Sequence, residues 1–167
     1  LGIFMAETQI PPAQDAGAAN MVQFAIERIY VKDLSLENPG SPQSFQLQEP
    51  PQVEVQLRTR SDAIAQDVYE SVLTITVTAK SGDKTLFLVE AAQAGIFTIK
   101  GVPADRLQPV MAIHCPTVLF PYVRETIADA TQRAGYPPVH LHPINFEALY
   151  AQQIAQQQPA PAPALNS

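Results

Sequence analysis

Cys115-Pro116-Thr117-Val118-Leu119-Phe120-Pro121-Tyr122-Val123-Arg124-Glu125 is the stretch on which the reading of this chain turns. Two prolines bracket an apolar run, and a helical spacing follows directly. A proline lacks an N–H and pushes the residue before it away from the helical region, so each marks a break or a first turn. The stretch therefore predicts a helix ending near His114, a tight apolar joint, and a second helix from Pro121 to about Ala134. Such a joint needs cover, from the core or from another subunit.

Working outward, Leu107, Val110, Met111 and His114 fit a short helix entered near Pro103. Tyr122, Ile127, Ala130 and Thr131 fall on turns of the helix after the joint, and Gly135 is a natural stop. Pro137 to Pro143 reads as extended, with Val139 and Leu141 on one side and His140 and His142 on the other. Asn145 is placed to cap a last helix, in which Phe146, Leu149, Tyr150 and Ile154 form one apolar stripe.

Upstream the period changes to two. Val22, Phe24 and Ile26 alternate, then Ile29 and Val31 take the other parity, which predicts a bulge near Glu27-Arg28. Lys32 to Pro51 reads as a long connection with four prolines, folded back by Leu34, Leu36, Phe45 and Leu47. Val53, Val55, Leu57 and Thr59 mark a half-buried strand. Ser61 to Gln66 reads as a connection. Tyr69 to Ala79 is a strand with Leu73, Ile75 and Val77 opposite Thr74, Thr76 and Thr78. Lys80 to Lys84 is a hairpin turn around Gly82. Lys84 to Ala94 is apolar on both faces, so both faces need cover. Gly95 is expected to kink the chain before Ile96 to Ile99. Four strands followed by helices give an α+β fold, a four-stranded antiparallel sheet with helices packed on one face.

The bulk composition fits one such domain. Hydrophobic residues make up 46% of 167, enough for a core, while charged residues are only 16%, so part of the surface is expected to be covered by other copies of the chain. The formal net charge of −6 argues against nucleic acid and for a basic protein partner. A single cysteine excludes an intrachain disulfide and fits a reducing compartment. No apolar run nears the roughly 20 residues of a membrane span. Residues 1–20 and 159–167 are rich in Ala, Gln and Pro and are expected to be disordered, which leaves 21–158 as the folded domain. Met5 resembles a natural start, with Leu1 to Phe4 as a cloning remnant.

Little in the chain suggests catalysis. Cys115 beside His114 has the residue types of a thiol nucleophile and base, but neighbours on a helix point apart, so a buried structural cysteine is expected. His140 and His142 could share a metal on a strand, yet no further ligand spacing supports one. There is no phosphate loop and no carboxylate pair. The chain is therefore read as a non-enzyme without cofactor or metal. Glu90, which interrupts the apolar run Leu86 to Ala91, is either a rim residue or a contact carboxylate on an exposed sheet face.

Taken in order, Ile29-Tyr30-Val31-Lys32-Asp33-Leu34-Ser35, Asp67-Val68-Tyr69-Glu70, Gln93-Ala94-Gly95-Ile96-Phe97, the proline-bracketed stretch, and Pro143-Ile144-Asn145-Phe146-Glu147-Ala148-Leu149 resemble the SecB family of protein-export chaperones. The resemblance runs from about Val22 to Ile154. It implies a cytoplasmic homotetramer, a dimer of dimers whose sheets pair across subunits. Such a protein holds unfolded precursor proteins without ATP and delivers them to the SecA motor ATPase, with no membrane insertion. By the same match, SecA contacts fall on Asp33, Glu37, Leu88 and Glu90, and tetramer contacts on Val89, Ala91 and Gln93. The client groove falls on Phe45, Val53, Val55, Leu57, Leu141, Phe146, Leu149, Tyr150 and Ile154. Glu49 replaces a tryptophan common in the family, Val89 replaces a cysteine found in some members, and the tail lacks the acidic residues of others. Two other readings keep the layout and change the role: a SecB-like chaperone of a toxin–antitoxin system, or a small-ligand or regulatory α+β domain.

Overall fold

The computed structural model describes residues 21–157; the two terminal segments and residue 158 lie outside the described residues. Four strands, β1 (Gln23–Glu37), β2 (Gln52–Ala65), β3 (Val68–Ser81) and β4 (Lys84–Lys100), form one antiparallel sheet in the order β1-β4-β3-β2. Hairpin connections join β2 to β3 and β3 to β4. The strand pairing gives two faces. On the inner face Leu73, Ile75 and Val77 of β3 stand beside Gln93, Ala91 and Val89 of β4, and all six are buried. The threonines Thr74, Thr76 and Thr78 stand on the outer face beside Ala92, Glu90 and Leu88.

The helical layer covers the inner face. Here the structure corrects the expected break. α1 (Ala104–Pro109) runs through a π-type turn, Val110–His114, directly into α2 (Cys115–Arg133). The prolines are absorbed rather than obeyed. In the widened turn the Cys115 N–H reaches back five residues to the Val110 carbonyl, so the ladder has already stepped out where Pro116 can offer no donor. One residue further on, the Thr117 hydroxyl donates to the Ile113 carbonyl at 2.6 Å, adding a bond to the proline-weakened turn. Of the expected stripe Ile127, Ala130 and Thr131 are buried, while Tyr122 is exposed. Because the helix does not restart at Pro121, the stripe extends back through Val123 and Leu119 to Cys115, all fully buried at a spacing of four.

Gly95 is also corrected. β4 is continuous through it, and a side chain there would meet the Phe97 ring at 2.7 Å and Leu119 at 3.0 Å. The position is glycine so that α2 can lie close on the sheet, not to bend the strand. Gly135 does end α2, with φ +91°, and the Tyr136 N–H returns to the Thr131 carbonyl as a C-terminal cap requires.

β1 and β2 are both longer than expected. β1 continues to Glu37, so the connection to β2 is confined to residues 38–51, and β2 continues through Ser61 to Ala65. That connection is tied to the body. The Asn38 side chain donates to the Ala134 carbonyl, the Gly40 N–H donates to the Leu86 carbonyl, and the Ser44 and Tyr136 hydroxyls share a 2.6 Å hydrogen bond. It is this loop that buries Leu86. α3 (Phe146–Gln157) follows an extended segment and is capped by Asn145, whose side-chain oxygen accepts from the Ala148 N–H at 2.9 Å.

Candidate functional site

Two surfaces on opposite faces of the sheet collect the residues singled out in the sequence. The first is an apolar groove on the inner side, where β2 passes beyond the edge of the helical layer. Val53 and Val55 point to this side, as partners of the buried Ala79 and Val77. As an edge strand β2 has little of the expected cover, and these valines remain 44% and 48% exposed. Val53 and Val55 form one wall of a cavity of about 520 Å³ with Val139, Leu141, Pro143 and Ile144. Farther along the strand, Leu57 and Thr59 face Ala112, Phe146, Leu149 and Tyr150 across a second cavity of about 420 Å³.

Within the groove the expected residues divide by depth. Leu141 and Phe146 are buried and form floor, while Leu149 is 42% exposed and can still gain by contact. Ile154, 40% exposed, lies outside both linings, and so does Phe45. Its half-exposed ring packs on Tyr136 at 5.2 Å, and Tyr136 packs on Phe87 at 4.6 Å. Of the segment Val139 to Ile144 sequence reasoning named only Leu141 and missed Val139, Pro143 and Ile144, although the alternation of apolar and histidine side chains was visible. Glu49 is exposed in the loop before β2.

The second surface is a row of carboxylates on the outer face. Register places Asp33 opposite Ala92, Ser35 opposite Glu90, and Glu37 opposite Leu88, so Asp33, Glu37, Leu88 and Glu90 share one face. Asp33 and Glu37 are exposed. Glu90 is held: Thr76 donates to it at 2.7 Å, and Arg58 pairs with it at 3.3 Å. Beside this row Glu70 takes both Lys32 and Tyr30 as donors. The Lys32 ammonium and the Tyr30 hydroxyl hold the Glu70 carboxyl below the usual carboxylate range, and the same hydrogen bond raises the tyrosine. This cluster was not singled out in the sequence, because its members lie 38 and 40 residues apart.

Val89, Ala91 and Gln93 lie on neither surface. They are buried on the inner face under the chain's own helices, so their side chains offer nothing directly to another subunit. Cys115 is fully buried, and burial pushes its thiol up to about 12 while a hydrogen bond with Ser71 pulls it partly back. Its neighbour His114 is exposed, edge-on to Phe24. At pH 8 the thiol is expected to resist alkylation in the native protein and to react fully in denaturant, as measured by mass; rapid native labelling would contradict the burial. Among the described residues no cluster of His, Cys, Asp and Glu is arranged for a metal ion, and no helix is long and apolar enough to cross a membrane.

A family profile described as preprotein translocase subunit SecB matches residues 17–157. The "Protein-export protein SecB" of Dechloromonas aromatica is 54% identical over 139 residues, 83% of this chain and 91% of that one. Its namesake from Methylobacillus flagellatus is 52% identical over 147 residues, 87% of this chain and 94% of that one. Among solved structures, the Mycobacterium tuberculosis Rv1957 SecB-like chaperone, in complex with a ChAD peptide from the Rv1956 HigA1 antitoxin, has the same fold. Its TM-score is 0.61 at 16% identity, covering 72% of this chain and 90% of that one.

Proposed function

The chain belongs to the SecB family, and from that premise we propose that this protein-export chaperone holds unfolded precursors in its groove and delivers them to the SecA motor ATPase through its acidic outer face. The observation that carries the reading is the separation of the two surfaces. Val53, Val55 and Leu149 present half-exposed apolar surface on the helix side, and Asp33 and Glu37 stand on the opposite side of the same sheet.

The groove suits a chain without a fixed motif. Its walls are aliphatic and aromatic, so capture follows buried apolar area at about 25 cal/mol per Å² rather than a pattern of hydrogen bonds. Neither surface needs a nucleotide or a reaction, and the protein works without catalysis. The toxin–antitoxin chaperone reading is less well supported. The relatives above half identity bear the export name, whereas the neighbour carrying an antitoxin peptide shares 16% of its residues and speaks for the fold alone.

The working form is a cytoplasmic homotetramer, a dimer of dimers with sheets paired across subunits. Two features support it. β1 is an edge strand, and its inner-face residues Phe24, Ile26, Val31, Leu34 and Leu36 are all exposed in one chain, a combination that proteins normally cover. Val89, Ala91 and Gln93 then act on the assembly through the helices that they support. Native mass is expected at about four times the 18.2 kDa of one chain. It should rise by one precursor when an unfolded precursor is added without nucleotide. A monomer at micromolar concentration that binds no precursor contradicts the reading.

A further inference from the structure

β1 carries two bulges against β4, at Glu27 and at Lys32. Each bulge shifts the register by one residue, and a one-residue shift turns every following side chain to the other face. Up to the second bulge, Ile29 and Val31 face the helices as partners of Gly95 and Gln93. Beyond it, Leu34 and Leu36 take the inner face, while Asp33, Ser35 and Glu37 turn outward. Remove that extra residue, and the two carboxylates would point inward and the two leucines out. The acidic row depends on a single bulge.

The bulged residue is tethered. The Lys32 ammonium donates to both oxygens of Glu70 at 2.8 and 2.6 Å, and the Tyr30 hydroxyl donates to the same carboxylate. The tether spans the sheet from β1 to β3, passing over β4. The path is diagonal: Tyr30 stands opposite Ala94 of β4, a small side chain, and Glu70 stands opposite Ile96, two residues along the same strand. The Glu70 side chain is itself largely enclosed. Apolar burial holds the phase less firmly, since Leu34 and Leu36 remain 48% and 41% exposed in the chain.

We propose that Glu70, through Lys32 and Tyr30, is a clamp that fixes the Lys32 bulge and so positions Asp33 and Glu37 for the basic motor partner. Glu70 is a positioning residue, and the inference rests on the docking face proposed above.

The clamp and simple charge make opposite forecasts for Lys32→Met. Removing a cation beside Asp33 should strengthen attraction to a basic partner. Loss of the clamp should weaken it. We expect Lys32→Met and the charge-neutral Tyr30→Phe each to weaken SecA binding by roughly tenfold, with the double variant little worse than either, since both act on one carboxylate. Amide hydrogen exchange across Val31 to Glu37 should quicken by about tenfold in each, with precursor capture unchanged. Asp33→Lys/Glu37→Lys is measured in parallel by calorimetry. If that pair of reversals abolishes SecA binding while Lys32→Met leaves it unchanged or tightens it, the clamp is overturned and the docking face stands. If the reversals have no effect, the docking face fails, and exchange alone decides: unaltered protection of Val31 to Glu37 in Lys32→Met overturns the clamp.

Discussion

Reversing the outer-face charges with Asp33→Lys and Glu37→Lys is expected to weaken SecA binding by about 100-fold at low salt while the protein still captures an unfolded precursor. Both side chains are exposed and stand on the sheet face away from the groove, so the change leaves the core and the groove intact. Two reversals swing the local charge by four units on the face proposed to receive a basic partner. The wild-type attraction should fade as salt rises and the Debye length falls from about 10 Å at 0.1 M to about 3 Å at 1 M. The variant should show little salt response. Glu90→Lys is a harsher third change, because it sets a second cation against Arg58 and removes the acceptor of the Thr76 hydroxyl. The double reversal is therefore the cleaner measurement. Calorimetry at low and high salt checks it, and motor affinity that survives the double reversal would remove the acidic row from the account.

The converse variant acts on the groove. Leu149→Ser with Tyr150→Ser is expected to weaken precursor capture by roughly 30- to 100-fold and to leave SecA affinity within a factor of two. Both residues line the cavity opposite Leu57. Leu149 is already 42% exposed, so only the part still open to water is gained on binding, and each site contributes about 1 to 1.5 kcal/mol of transfer free energy. In the proposed tetramer, repetition over the grooves would multiply the loss, because the weak contacts of one long client would be summed. Phe146 is a poor choice for the same test. It is buried and packs edge-on to Phe120 at 6.1 Å, so truncating it would open a cavity and confuse lost capture with lost folding. Retention of a slow-folding precursor by gel filtration reads the effect, and unchanged capture moves the groove elsewhere.

Much of the fold was legible in the sequence because local chemistry decided it. The Gly82 turn, the Gly135 stop and the Asn145 cap each depend on one residue's own backbone or side chain. The first bulge was legible too, since apolar parity slips visibly between Ile26 and Ile29. The second bulge was not. It falls where Lys32 and Asp33 interrupt the apolar alternation, and a broken alternation reads as the start of a loop. The strand nevertheless stays paired with β4 as far as Glu37, and the polar partner of Lys32, Glu70, lies on another strand, out of reach of a local reading. The uninterrupted helix was hidden for a similar reason. Proline argues locally for a break, but the packing of Cys115, Leu119, Val123 and Ile127 on the sheet outweighs that preference and the π-type turn accommodates it.

The groove was legible as residue types but not as depth. Leu141 and Leu149 look alike in a string, yet the packing of residues 137–145 against β2 buries the first as floor and leaves the second half-exposed as wall. Likewise Val89, Ala91 and Gln93 fall under the chain's own helices, a layer that strand parity alone does not reveal.

The measurement that tests the division of labour most directly is site-specific photo-crosslinking in the intact protein. A photoreactive residue is placed at Val55, Ile144 or Leu149 in the groove, and at Ser35 or Leu88 on the outer face. Each is challenged separately with a labelled unfolded precursor and with SecA, without nucleotide. The account predicts precursor adducts at the groove positions and SecA adducts at the outer-face positions, with little exchange between the sets. Precursor adducts concentrated at Ser35 and Leu88, or SecA adducts at Leu149 and Val55, would contradict it.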